Sequence, residues 1–341
     1  MGLSGGLNYL ADCPAIVVGV IPSGVPRSVY TRWILRFLTV AVLGVFAWQF
    51  SRVAREMDWA HFWRSLGRPG NWKCLVPAVG LMPVNWLLEA KKWHLLLRPF
   101  LDWPYSKVFR ATLAGVSVSA ATPNRVGEIG GRMLAARREE WPAVVASSVL
   151  GSICQWVAFM LLAWPCLVLT VGRLPQLALG DAYLYFLPVG PLLIGLAAVG
   201  GRPFLLRIVN WCEGRFVQDA SAIRTALTKV KLSLMLQGSS YAALRFVVYS
   251  TQLYCWLQFF GLSLPYVWGM AGIMAIYLIQ AGVPLPPGLN LVTRTELGLL
   301  LWSTGPEGSV AVLAAYTALF AVNVLLPALP GYGLIVRKNY T

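Results

Sequence analysis

Apolar residues fill long segments of this sequence, and short clusters of polar and charged residues separate them. Seven of the segments come close to or exceed the roughly 20 apolar residues that an α-helix needs to cross a bilayer. The sequence therefore predicts an all-α polytopic membrane protein with about seven full transmembrane helices. The predicted spans are 30–50, 74–97, 142–170, 182–200, 237–262, 266–283 and 308–329.

Two further apolar segments, 111–122 and 291–302, are too short to cross a membrane unaided. A proline-rich break at 284–290 precedes the second segment, and basic residues stand on both sides of the first. Basic residues favour the cytoplasmic side, so both flanks of the first segment are expected there. We therefore predict Pro/Gly-broken re-entrant half-helices, with 111–136 forming a hairpin that enters and leaves on the cytoplasmic side.

The segment 121–132 places three charges in otherwise apolar sequence. In a helix that begins at Asn124 the three charged residues share one face, and Glu128 and Arg132 have the spacing of an i,i+4 ion pair. The glycines lie on another face, where a ligand or another backbone can come close. The free N–H groups at the start of such a helix favour an anion. We predict a substrate site here, and the alternative is a cytoplasmic loop with solvated charges. The candidate residues are Asn124, Arg125, Gly127, Glu128, Gly131 and Arg132.

The fifth predicted span carries three polar residues at positions i, i+4 and i+7, which form a polar stripe along one face of the helix. Burying an arginine costs at least ~2.5–3.5 kcal/mol on insertion scales, so a partner must hold Arg245 in place. We expect it to face one of the two broken elements, with Glu128 or Glu296 as its partner. The stripe consists of Arg245, Tyr249 and Gln252. Two further candidates in the second broken element are Arg294 and Glu296.

The order of these elements repeats along the chain. Each half has a polar-striped span, a broken short helix with an arginine and a glutamate, and a long terminal span. Interrupted apolar segments at corresponding positions point to the substrate site of a transporter. We place the halves at about 73–170 and 237–330, inside one integral membrane domain at 30–335. Residues 1–29 are predicted to be a loose or interfacial extension, and 336–341 a short basic tail.

Composition and charge support a membrane protein. The 341 residues are 57% hydrophobic and 12% charged, whereas about 25% of residues are charged in a soluble protein. The mean hydropathy is +0.65. The net charge of +15 suits cytoplasmic loops and anionic lipid headgroups. Nucleic acid is not an expected partner, because the sequence has no basic soluble domain to bind it.

Motifs of pumps and metalloenzymes are missing from the sequence. It has no P-loop and no H-E-x-x-H, its six cysteines are scattered, and it has two histidines. We therefore predict no catalytic residue, metal or cofactor. Glu89, Glu128 and Glu296 are candidate proton carriers, and an ion pair or hydrogen bond at a helix end is the alternative for each.

Two motifs resemble those of a known family. The first joins NWLLEAKKW (85–93) to TPNRVGE (122–128), and the second runs from PPG (286–288) to ELG (296–298). The chain thereby resembles the flippase-like family, also called the lysylphosphatidylglycerol synthase transmembrane family, over about 30–335. The multiple peptide resistance factor pairs such a domain with a soluble aminoacyl-transferring domain, which this sequence lacks. The resemblance implies lipid translocation and gives no support for lipid aminoacylation. The expected location is a bacterial or archaeal cell membrane.

Two functions are compatible with the sequence. The preferred prediction is a flippase-like carrier that moves an anionic phospholipid or a lipid-linked intermediate between leaflets. The alternative is an integral membrane enzyme, or the accessory subunit of one, that modifies a lipid headgroup. Membrane lipids with anionic headgroups are the expected partners, and a second copy of the chain or a lipid-biosynthesis enzyme is a further candidate.

Overall fold

The computed structural model describes residues 71–119, 126–173, 180–212, 230–282, 287–302 and 305–340, and a few isolated positions between 55 and 67 and at 221 and 224. The predicted extension and first span (1–50) lie outside these residues, as do the site candidates Asn124 and Arg125. Contacts divide the chain into two units, Met1–Leu43 and Gly44–Thr341, and every described residue belongs to the second.

Every regular element in the described ranges is helical, which confirms the predicted all-α fold class. The first group of helices is α1 (Trp72–Leu97), α2 (Tyr105–Ser119), α3 (Val126–Leu134), α4 (Trp141–Ala158) and α5 (Trp164–Val171), and α6 (Val189–Cys212) follows. The second group is α7 (Leu232–Phe259), α8 (Tyr266–Ala281), α9 (Pro287–Trp302), α10 (Pro306–Phe320) and α11 (Leu326–Tyr340). Short 3-10 helices lie at Arg138–Glu140 and Gly180–Phe186.

The two groups place their helices in the same order at a nearly constant spacing. Helices α1 and α7 end at Leu97 and Phe259, which are 162 residues apart. Two π-helical segments, Phe159–Ala163 and Ala321–Leu325, begin at the same separation, and they join α4 to α5 and α10 to α11. Residues 162 positions apart are therefore equivalent in the two groups, which we call the first and second repeats.

The π-helical segments share their hydrogen-bonding pattern as well as their position. The first residue after each segment donates its N–H to the carbonyl five residues earlier, Trp164 to Phe159 and Leu326 to Ala321. The next residue is a proline in both helices, and proline has no N–H to donate to the preceding turn. Such π-helical turns are often found at functional sites. The two prolines are Pro165 and Pro327.

Helices α1 and α7 form the most extensive helix pair of the described structure. Polar side chains tie them together as well as apolar packing. Gln252 Nε2 donates a hydrogen bond to the carbonyl oxygen of Ala78 over 2.9 Å, and Asn71 Nδ2 donates one to that of Phe259 over 3.0 Å. This pairing brings the polar residues of α1 close to those of α7, although the two helices are far apart in sequence.

Helices α2 and α3 pack backbone against backbone. A Cβ added at Gly131 would lie 2.6 Å from the Cα of Gly115, and one added at Gly115 would lie 2.8 Å from the carbonyl oxygen of Glu128. Helix α2 also packs on α11, where Ser117 Oγ donates a hydrogen bond to the carbonyl oxygen of Ala328 over 2.9 Å. The C-terminal part of α2 and the whole of α3 lie within the predicted hairpin (111–136), whose side of the membrane stays a prediction.

Two described helical stretches, Arg138–Val171 and Glu307–Leu334, are long and apolar enough to cross a membrane. Two shorter apolar helical stretches are Asp181–Leu196 and Tyr266–Ala281. Several large apolar side chains are more than half exposed, as expected on a surface that faces lipid. These include Val76, Leu192, Leu196, Val267 and Leu300. The predicted number of seven crossings stays a prediction.

Candidate functional site

Glu89 on α1 lies at the centre of a buried group of charges, and its side chain is 3% exposed. Its Oε1 accepts a hydrogen bond from Arg132 Nη2 over 2.9 Å, and its Oε2 accepts one from Lys92 Nζ over 2.6 Å. Arg245 Nη1 lies 3.3 Å from the same Oε2. Three cations of the described structure, from α1, α3 and α7, therefore share one carboxylate.

Arg132 connects this carboxylate to a second one. It pairs with Glu128 as well as Glu89, so the i,i+4 pair expected from the sequence is present. Its Nη1 donates a hydrogen bond to Ser148 Oγ over 3.2 Å, and its guanidinium carbon lies 4.4 Å from the ring centroid of Trp93. We call these charges the Glu89 cluster, with the members Glu89, Lys92, Glu128, Arg132 and Arg245. Its described cations outnumber its carboxylates by one, which favours an anion nearby.

A cavity of about 470 Å³ lies beside the Glu89 cluster, and Arg245 belongs to both. This volume is within the usual range for small-molecule sites. Both repeats line the cavity, and each π-helical segment contributes to its wall, through Phe159 and Asn323 respectively. We call it the inter-repeat cavity. A site formed between two repeats, next to interrupted helices, is the arrangement found in many transporters.

Two arginines line the inter-repeat cavity, Arg245 from α7 and Arg294 from α9. The Nε of each is buried and has no hydrogen-bond partner among the described residues. The guanidinium carbon of Arg294 lies 4.9 Å from the ring centroid of Tyr277, and that of Arg245 lies 5.5 Å from Trp86. A guanidinium group binds phosphate through paired N–H donors, so the two side chains suit an anionic group.

Neutral polar groups in the same cavity wall are also left unpaired. Gln155, Tyr277 and Tyr316 are 2%, 3% and 1% exposed, and their side-chain N and O atoms have no partner in the described part of the chain. Asn85 Nδ2 donates a hydrogen bond to Asn323 Oδ1 over 3.2 Å, which leaves the Oδ1 of the first and the Nδ2 of the second unpaired among these residues. Since buried polar groups are nearly always hydrogen-bonded, a polar ligand in the cavity would supply partners for these atoms.

A family model described as "Lysylphosphatidylglycerol synthase TM region" matches residues 33–331. The chain belongs to this family. The resemblance inferred from the two sequence motifs is thereby confirmed for the transmembrane part. The protein is an integral membrane protein associated with lipid metabolism. No curated protein matches the chain.

In this family member, the structure brings several predicted site residues together. Glu128 and Arg132 belong to the Glu89 cluster, whereas Tyr249 and Arg294 line the inter-repeat cavity. Arg245 connects the cluster to the cavity. The predicted partner of Arg245 was wrong, because its described ion pair is with Glu89 and not with Glu128 or Glu296. The packing of α7 on α1 decides this, since it places Arg245 beside the carboxylate on α1.

Four other candidates belong neither to the Glu89 cluster nor to the cavity wall. Gln252 is fully buried between α7 and α1, where it binds the backbone of Ala78. Glu296 is exposed on α9. Gly131 does not leave room for a ligand, because α2 already fills the space beside it. Gly127 is buried in α3, next to Glu128.

Sequence reasoning treated Glu89 only as a candidate proton carrier and did not include it in the site. The signal was nevertheless present, because a carboxylate inside an apolar span is expensive unless it is paired or functional. Lys92, one helical turn away, is its nearest partner in sequence. Tyr277 and Tyr316 had no comparable signal, since a tyrosine in an apolar helix is also common in protein cores.

Proposed function

We propose that this protein moves a lipid with an anionic headgroup between the two leaflets of the membrane. The proposal rests mainly on Arg245 and Arg294, which both line the cavity between the two repeats. Family membership supports a role in lipid metabolism. The cavity accommodates the headgroup, and the acyl chains remain in the surrounding lipid.

The Glu89 cluster gives this site a means of releasing its ligand. Arg245 is paired with Glu89 at 3.3 Å. A bound phosphate competes with that carboxylate for Arg245, which limits the affinity of the site. A carrier must release its substrate on the other side, so moderate affinity is useful. Arg132 stays fixed between Glu89 and Glu128 and maintains the position of Glu89 during the exchange.

The π-helical segments are suited to the movement that a carrier needs. Both lie in the cavity wall, at equivalent positions of the two repeats. Their hydrogen bonds are shifted by one residue relative to an α-helix, so each helix can bend there at lower cost than in a regular stretch. A rotation of one repeat against the other at these points changes access to the cavity.

Purified protein in vesicles that contain acyl-labelled phosphatidylglycerol tests the proposal. Loss of fluorescence on adding a membrane-impermeant quencher reports how fast the label reaches the outer leaflet. Wild-type protein should speed up this exchange. Arg245→Gln and Arg294→Gln should slow it about tenfold or more, because a hydrogen bond to a charged group contributes about 1.5–3 kcal/mol.

Arg207→Gln is the matched control, since Arg207 is exposed on α6 and should not affect exchange. Vesicles without protein give the background rate. Exchange at the background rate in wild-type vesicles rejects the carrier. If the mass of the lipid also changes during the assay, the protein is an enzyme that modifies headgroups.

A further inference from the structure

The charges that line the inter-repeat cavity are all positive in the described structure. Its described lining includes Arg245 and Arg294 but no aspartate or glutamate. Glu89 lies behind Arg245, and its oxygens are already shared by three cations. A headgroup that carries an amine would therefore find no carboxylate in this wall and would be repelled by the two guanidinium groups.

The same wall presents unpaired neutral donors and acceptors. Gln155 contributes an amide with neither atom paired among the described residues, and Tyr277 and Tyr316 each contribute a hydroxyl that is likewise unpaired there. A buried polar group without a partner costs about 1–3 kcal/mol, so a ligand that pairs with these groups gains affinity. An alcohol group pairs well with them, because it donates to the amide oxygen and accepts from the amide nitrogen or a tyrosine hydroxyl.

We infer that the ligand of the inter-repeat cavity is a phosphate ester whose substituent is uncharged and carries hydroxyl groups. Arg245 and Arg294 bind the phosphate, and Gln155, Tyr277 and Tyr316 select the hydroxylated substituent. The inference rests on the proposed function for the anionic site and adds the class of headgroup. The chemistry is shared by a polyol phospholipid, such as phosphatidylglycerol, and by a free polyol phosphate.

Ligand titrations followed by the melting temperature of the detergent-solubilised full chain test this inference. The probes are short-chain phosphatidylglycerol, phosphatidic acid and phosphatidylethanolamine, together with free glycerol phosphate. Phosphatidic acid has the phosphate but not the polyol, and phosphatidylethanolamine carries an amine. Wild-type protein should bind phosphatidylglycerol at least about tenfold more tightly than phosphatidic acid, the equivalent of one well-made hydrogen bond.

Gln155→Leu and Tyr316→Phe should bring that ratio towards one. They should also leave the melting temperature of the ligand-free protein unchanged or higher, because each removes an unpaired buried polar group. A residue with a purely structural role would not combine these two effects. Gln252→Leu is the matched control, since Gln252 is buried outside the cavity wall and its Nε2 donates a hydrogen bond to Ala78. It should lower the melting temperature and keep the wild-type ratio.

The outcomes separate this inference from the proposed function. Equal binding of phosphatidylglycerol and phosphatidic acid by wild-type protein overturns the headgroup class and leaves an anionic-lipid carrier standing. Binding of phosphatidylethanolamine as tightly as phosphatidylglycerol overturns it as well. Binding of glycerol phosphate without phosphatidylglycerol supports the ligand chemistry and rejects a lipid substrate. If none of the four probes binds, both proposals fail.

Discussion

Arg132 and Arg294 occupy equivalent positions of the two repeats, 162 residues apart, but have different surroundings. Arg132 is 3% exposed and is held between the carboxylates of Glu89 and Glu128. Arg294 lies against the ring of Tyr277 and lines the inter-repeat cavity. The position equivalent to Glu128 is Asn290 in the second repeat, so the i,i+4 carboxylate is missing there. One arginine therefore stabilises the Glu89 cluster, and its counterpart faces the cavity.

Replacing Glu89 should destabilise the protein more than replacing any other charge of the cluster. Glu89→Gln leaves three cations without their common carboxylate, and breaking a buried ion pair typically costs about 3–5 kcal/mol. Melting temperature in detergent measures the effect. Glu128→Gln is the comparison, because Glu128 is 18% exposed and pairs with Arg132 alone among the described ion pairs. Equal losses for the two variants would show that Glu89 is not the centre of the cluster.

Two neighbouring glycines of α3 should respond in opposite ways to alanine. Gly131→Ala forces a Cβ against the backbone of Gly115 and should lower the melting temperature by separating α2 from α3. Gly130→Ala has no atom within 4 Å of the added Cβ. It should be neutral or stabilising, by up to about 1 kcal/mol from helix propensity. A tolerated Gly131→Ala contradicts the close helix contact.

The prolines that follow the π-helical segments should affect exchange more than stability. Pro165→Ala and Pro327→Ala restore an N–H, which allows regular α-helical hydrogen bonds to extend into the segment. We expect a higher melting temperature and slower lipid exchange in the vesicle assay. Pro77→Ala, inside α1 and outside the cavity wall, is the control. Unchanged exchange in both variants means that the segments do not serve as hinges.

If α2 and α3 form a re-entrant hairpin, both of its ends lie on the cytoplasmic side of the membrane. Lys107→Cys and Arg138→Cys, introduced separately into a cysteine-free variant, should both react with an impermeant thiol reagent from the cytoplasmic side. Arg138 is exposed and Lys107 is partly exposed in the structure, so the reagent can reach both positions. Reaction from opposite sides would show that the segment between them crosses the membrane.

The predicted features that depend on local sequence agree with the structure. The long apolar segments gave the all-α class, and the i,i+4 spacing gave the ion pair of Glu128 with Arg132. Residues 85–93 and 122–128 carried the resemblance to the family that the model match confirms. These features could be found because each depends on residues within a few helical turns of one another.

The long-range contacts could not be predicted in the same way. The pairing of Arg245 with Glu89 requires α7 to pack on α1, more than 150 residues away in sequence. The sequence offered Glu128 and Glu296 as equally reasonable partners, because charge alone does not select among distant carboxylates. Gln252 also has the spacing of the polar stripe, but its side chain lies on the face of α7 that packs on α1, where it binds Ala78 and does not reach the cavity.

By itself, the sequence determined that this is a helical membrane protein of the family, with arginines and carboxylates inside apolar helices. The tertiary structure decided which of those charges meet, and that Arg245 and Arg294 share one cavity wall with Gln155, Tyr277 and Tyr316. The physical reason is that helix formation and apolar burial follow local periodicity, whereas a binding site depends on the rotation and packing of helices from distant parts of the chain.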